Sequence, residues 1–151
     1  MKKLIIVIIA ALLFNTNALA DDIFVAQTAA GGDTGADCSN AHSMSWLNTA
    51  GSWGGGGADV DPGDTVRLCG TLTTALTIQG GGSDGSLITI LFEPGAKFSA
   101  ATWTTPAITN AGYDYIIIDG GTNGIIDATD NGTSLTYQNE VAAIAIDDAQ
   151  N

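Results

Sequence analysis

Between Thr65 and Asp127 the chain is divided into short β-branched and aliphatic runs, nearly all closed by Gly, Pro, Asn, Asp or Ser. They are Thr65-Val66-Arg67-Leu68, Leu76-Thr77-Ile78-Gln79, Ile88-Thr89-Ile90-Leu91-Phe92, Ala107-Ile108-Thr109, Tyr115-Ile116-Ile117-Ile118 and Ile125-Ile126-Asp127. A seventh, Ala143-Ile144-Ala145-Ile146, follows near the end. In several of them apolar residues alternate with polar ones: Val66 and Leu68 face one way and Thr65 and Arg67 the other, and Ile88, Ile90 and Phe92 oppose Thr89, Leu91 and Glu93. That period of two belongs to strands with one buried face. Tyr115 to Ile118 is apolar throughout and leaves its facing open. No helical pattern separates the runs, so βαβ units are excluded and an all-β fold is expected.

The spacing bears on how the strands are arranged. Adjacent antiparallel strands are commonly joined by turns of two to five residues, whereas the gaps here are irregular and often longer. Taking every third run, Val66, Phe98 and Ile126 fall 32 and 28 residues apart, Ile78, Ile108 and Ile144 fall 30 and 36 apart, and Ile90 and Ile118 fall 28 apart. A loose period near 30 with three strands per turn is what a coiled solenoid gives. An antiparallel sandwich with long loops fits the period alone equally well.

The N-terminus sets the compartment. Met1-Lys2-Lys3 precedes an apolar run from Leu4 to Phe14, and Ala18-Leu19-Ala20 follows. A positive start, a short apolar middle and small residues at the end describe a secretory signal peptide cut after Ala20, of a bacterial type. The run holds 11 residues, short of the ~20 that span a bilayer, so no membrane association is expected after cleavage and the product is expected to be secreted or periplasmic. Arg67 and Lys97 are then the only Lys or Arg residues left against 16 acids. So acidic a chain excludes nucleic acid and anionic membrane as partners, since both need clustered cations. It is compatible with neutral glycans and could attract Ca²⁺, although solubility alone accounts for the charge. Cys38 and Cys69 are an even pair in an exported chain and are expected to bridge. With the lone His42 they make too few ligands for a zinc site.

Residues 21–64 read as an N-terminal strand around Ile23-Phe24-Val25 followed by a cap, and residues 65–151 as about three coils. Ser39 or Asn40 can cap a short helix of about two turns running to Leu47, with Met44, Trp46 and Leu47 on its apolar side. His42 falls on that segment and reads as a packed or solvated residue. Asp61-Pro62-Gly63-Asp64 is a turn, proline fixing φ at its second position and glycine freeing it at the third.

Several of these elements together resemble the exported right-handed parallel β-helix proteins of the pectate-lyase-like superfamily. The resemblance is carried by Phe24-Val25, by Cys38 before Trp46-Leu47, and by Pro62-Gly63-Asp64-Thr65-Val66-Arg67-Leu68-Cys69-Gly70. It continues through Gly85-Ser86-Leu87-Ile88-Thr89-Ile90, Glu93-Pro94-Gly95-Ala96 and Tyr115-Ile116-Ile117-Ile118-Asp119-Gly120. It implies a right-handed parallel β-helix with a short N-terminal capping helix, here the cap and first coils of a longer protein. The expectation is a carbohydrate-interacting binding or surface protein without a complete catalytic site. The alternative is a polysaccharide lyase or glycoside hydrolase whose catalytic coils lie beyond residue 151. An open last rung would expose unpaired backbone and apolar side chains and invite self-association.

Candidate chemistry is sparse. Asp147 and Asp148 form an adjacent pair of the kind that can divide acid and base work on a glycosidic bond, but they read more readily as a solvated turn. Asp59, Asp61 and Asp64 could offer alternate carboxylates to Ca²⁺, although turn formation explains them as well. No other cofactor is evident. Trp103 and Tyr113 are candidates for stacking on sugar rings, with packing on the flank of the coils as the simpler role. Arg67 is a basic residue such as a lyase needs, yet nothing in the sequence marks it as a base. Asn131-Gly132-Thr133 reads as a turn.

Overall fold

The computed structural model describes residues 20–56, 59–130 and 141–147. Asp148, the expected turn at Asn131 and the expected signal peptide up to Leu19 lie outside the described residues. Within them the protein is all-β, with one helical turn and one 3₁₀ turn. The strands are β1 (Asp22–Ala26), β2 (His42–Ser43), β3 (Thr65–Cys69), β4 (Thr71–Leu72), β5 (Leu76–Thr77), β6 (Ile88–Phe92), β7 (Lys97–Ala100), β8 (Ile108–Thr109), β9 (Ile116–Asp119), β10 (Ile125–Ala128) and β11 (Ile144–Ala145). The helix, α1, is Met44–Leu47.

Three sheets form, in the orders β2-β1-β3-β6-β9, β4-β7-β10 and β5-β8-β11, and none closes on itself. Every pairing between these strands is parallel. From β3 onward the chain visits the first, second and third sheet in the same order three times. No antiparallel sandwich is present among the described residues.

Register stacks like on like. In the first sheet Ile23, Val66, Ile90 and Ile118 form one inward column, and Val25, Leu68 and Phe92 another. Leu72, Phe98 and Ile126 stack in the second sheet, and Leu76, Ile108 and Ile144 in the third. Neighbouring strands lie ~4.8 Å apart, so each column is a continuous aliphatic or aromatic contact. Val66, Leu68, Leu72, Leu76, Ile90, Phe98 and Ile108 are fully buried, and each such side chain contributes about 1.5–3 kcal/mol relative to exposure.

The observed columns correct part of the expected grouping. Phe98 with Ile126, Ile108 with Ile144 and Ile90 with Ile118 pair as expected, but Val66 stacks on Ile90 rather than on Phe98, and Leu76 rather than Ile78 pairs with Ile108. The cause is a corner at Gly70, which sits at φ +67°, a conformation glycine adopts without steric cost. It lets a second strand, β4, begin two residues after β3 ends. Neither β4 nor β7 carries an aliphatic run; each is held by its parallel pairing with neighbouring strands.

The N-terminal cap also differs from expectation. Ser43, not Ser39 or Asn40, caps the helix, its Oγ accepting the Trp46 amide at 3.1 Å. Only one turn forms because His42 and Ser43 pair with Val25 and Ala26 as strand. Asp37 Oδ1 meanwhile holds the Ser39 amide and the Asn40 side chain in a local turn. The cap satisfies strand edges with side chains: Asn48 Oδ1 accepts the Thr77 amide and its Nδ2 donates to Ala75 O, standing where a further strand beside β5 would stand. Such coverage of a free edge prevents pairing with other chains. His42 is buried, stacked on Trp46 with ring centroids 4.1 Å apart and its Nδ1 2.8 Å from Asp33 Oδ1.

Cys38 and Cys69 are joined as a disulfide, with Cα atoms 5.7 Å apart. The bond ties the cap to the end of β3 and is what an oxidising compartment permits. No helix among the described residues is long and apolar enough to cross a membrane.

Candidate functional site

A concavity lies where the first and third sheets end, at β9 and β11. It has a volume of about 580 Å³. It is lined by Ile116, Ile118, Ile144 and Ile146 together with Asn110, Tyr113, Asp114, Tyr115 and Asp147. Three of the isoleucines continue inward columns, Ile116 from Ile88, Ile118 from Ile90 and Ile144 from Ile108. Among the described residues, then, the cavity combines the ends of apolar columns with a wall of polar and aromatic groups.

Asn110 builds that wall. Its side chain is buried and makes three hydrogen bonds: Nδ2 donates to Tyr113 O at 3.0 Å and to Asp147 O at 2.9 Å, and Oδ1 accepts the Asp147 amide at 2.7 Å. One amide thus joins the turn after β8 to the segment after β11. The turn runs Asn110-Ala111-Gly112-Tyr113, closed by the Tyr113 amide on Asn110 O at 2.9 Å, with Ala111 at φ +50° and Gly112 at φ +80°. Tyr115 also has positive φ, +60°, which a bulky residue keeps only when its surroundings impose it. Those surroundings are the Ile88 amide donating to Tyr115 O at 3.0 Å and the Gly82 amide donating to Asp114 O at 3.2 Å. Gly82 packs so closely that a Cβ there would lie 2.7 Å from Tyr115 O. The result is a pair of tyrosines, 40% and 48% exposed, beside the cavity.

Of the residues singled out from sequence, Tyr113 and Asp147 come together here; Asp148 lies outside the described residues. Trp103 is elsewhere and is engaged in packing. It is half-buried against the core, its ring edge-on to Phe98 at 6.3 Å and its Nε1 donating to Asp127 O at 2.7 Å. Asn110, Asp114 and Tyr115 were not foreseen. Asn110-Ala111-Gly112 carries a turn signal, but nothing local says that its side chain reaches across 37 residues to Asp147.

Asp64 is a structural residue. It is buried, its Oδ1 accepting the Asp21 amide at 2.8 Å and its Oδ2 the Asp61 amide at 2.7 Å. Asp61 and Asp59 are left as the accessible carboxylates of that loop, and no group of three or more His, Cys, Asp or Glu among the described residues is placed to hold a metal ion. Hydrogen bonds to a charged acceptor contribute about 1.5–3 kcal/mol each, and removing the carboxylate strands two amides. Asp64→Ala is therefore expected to lower unfolding free energy by roughly 2–4 kcal/mol in urea titration; a loss below about 0.5 kcal/mol would contradict the two bonds.

Arg67 faces outward from the first sheet. Its Nε lies 2.8 Å from Asp22 Oδ1 and its Nη1 2.6 Å from Glu93 Oε1, with the guanidinium over the Phe24 ring at 5.6 Å. The adjacent carboxylates of Asp22, then Glu93, raise its pKa above the ordinary arginine range. A raised folded-state value means that the stabilisation is complete below the unfolded-state pKa and is lost only as pH rises through the folded one, in strong alkali. The group stays charged and paired at all ordinary pH, which is the wrong state for a proton-abstracting base.

No family model, curated protein or solved structure matches this chain.

Proposed function

We propose that this protein is an exported right-handed parallel β-helix of the pectate-lyase-like kind whose role is carbohydrate binding at the Tyr113–Tyr115 cavity. The repeated first–second–third order of parallel sheets, the stacked inward columns and the capped N-terminus support the fold reading. Two exposed tyrosines beside carboxylates and isoleucines carry the functional one. Sugars present apolar C–H faces that pack on aromatic rings, and hydroxyls that donate to carboxylates. A concave site with an apolar lining and a few convergent polar groups suits such a ligand. A role in binding accords with Arg67 being engaged in ion pairs.

A second reading rests on the last strands. Ile117, Ile125 and Ile146 are 43%, 49% and 68% exposed, and the outer edges of β9, β10 and β11 have no strand beside them among the described residues. Such a rung can accept another copy of the chain.

One pair of measurements separates these readings. Calorimetric titration with a panel of oligosaccharides is expected to find binding that Tyr113→Ala weakens about tenfold, near 1.4 kcal/mol, with the far-ultraviolet circular dichroism spectrum unchanged. Failure of every glycan to bind would overturn the carbohydrate reading. Concentration-dependent sedimentation abolished by Ile146→Asp would establish self-association in its place.

A further inference from the structure

The charges around the cavity bear on which carbohydrate it takes. We infer that the cavity selects neutral oligosaccharides and rejects uronate and sulfated ones; the inference rests on the carbohydrate reading above. Asp114 and Asp147 line the cavity, and among the described residues no Lys, Arg or His does. The two cations among the described residues are committed or distant in the fold. Arg67 is paired with Asp22 and Glu93 on the outer face of the first sheet. Lys97 stands in the second sheet, between Thr71 and Ile125, whereas the cavity is built from ends of the first and third. The whole chain carries a formal charge of −12, so no long-range field offsets the local one.

Recognition of a sugar carboxylate or sulfate usually employs a guanidinium or ammonium, because an anion leaving water needs a charged donor in return. Here an acidic sugar would meet two carboxylates and four isoleucines. A neutral sugar meets only hydrogen-bond acceptors for its hydroxyls and apolar surface for its ring. The same two carboxylates therefore serve as binding groups for one class and as a barrier to the other, which is how specificity arises from repulsion as well as attraction. Screening weakens the barrier at high salt while leaving stacking and neutral hydrogen bonds in place.

The test uses pairs of oligosaccharides that differ only in charge: oligogalacturonides with and without full methyl esterification, and cello-oligosaccharides with and without oxidation to 6-carboxylates. Titrations of the full chain are run in EDTA at low ionic strength, so that no divalent cation bridges the acids. The neutral member of any pair that binds is expected to bind at least tenfold more tightly. That ratio should shrink in 0.5 M NaCl, and should shrink again in Asp114→Asn through tighter binding of the acidic member. Equal or tighter binding of the acidic member by the unsubstituted chain would overturn the inference and leave carbohydrate binding standing. Absence of binding by both members of every pair would overturn the carbohydrate reading and this inference with it.

Discussion

Phe98→Ala is expected to cost about 3–5 kcal/mol of unfolding free energy, the range for deleting a buried aromatic ring. Phe98 is fully buried at the centre of the second sheet's column, between Leu72 and Ile126. Its ring meets Phe92 edge-on at 5.7 Å and Trp103 at 6.3 Å. Removing it opens a void that the neighbouring strands can close only by changing register, and register is pinned by strands on both sides. A domain of this size has a total stability of about 5–15 kcal/mol, so the loss is a large fraction of the whole. Urea titration followed by tryptophan fluorescence gives the number. Phe98→Leu keeps most of the volume and should lose distinctly less. A loss below about 1 kcal/mol for the alanine variant would mean that the column is not packed as described.

The second large effect is expected from the disulfide. Replacing Cys38 and Cys69 together by serine should lower stability by about 3–4 kcal/mol, the chain-entropy value for a loop of this length, the two residues being 31 apart. The bond fastens the turn around Asp37 and Asn40 to the end of β3, so its loss should loosen the cap first. Protection of the Val25 and Ala26 amides from hydrogen exchange should fall before that of β6, because β1 would lose its neighbour β2 while β6 stays between two strands. Reduction of the unsubstituted protein should reproduce the shift. Unchanged stability after reduction would show that the cap holds without the bond.

The parts of this fold legible in the sequence are those with a local code. Alternation in residues 65–68 and 88–92 announces β3 and β6, and the turn at Pro62-Gly63 marks the start of β3. The cysteine pair and the lack of helical segments also follow from residue type and spacing. Strands without such a code are less legible. Thr71-Leu72 forms no apolar run, and Lys97-Phe98-Ser99-Ala100 is marked only by Phe98, 28 residues before Ile126; both are extended because the parallel strand beside them supplies hydrogen-bond partners. The helix was overextended for the same reason: Ser39 and Asn40 are good caps in isolation, but His42 and Ser43 are claimed by β1. Residue type marks Tyr113 as a ring able to stack on a sugar, but its neighbours Tyr115 and Asp114 carry no such local signal.

By itself, then, the sequence determined an all-β chain of short strands, an acidic surface poor in cations and a cysteine pair suited to bonding. These are properties of composition and of neighbours within a few residues. Which strand lies on which, and the cavity they leave, were decided only by tertiary structure. Val66 meets Ile90, Phe98 meets Ile126, and Asn110 meets Asp147 across 24 to 37 residues. Those distances are set by how much chain each corner consumes, and corners such as Gly70 and the strained turn at Ala111 take their shape from the strands they join.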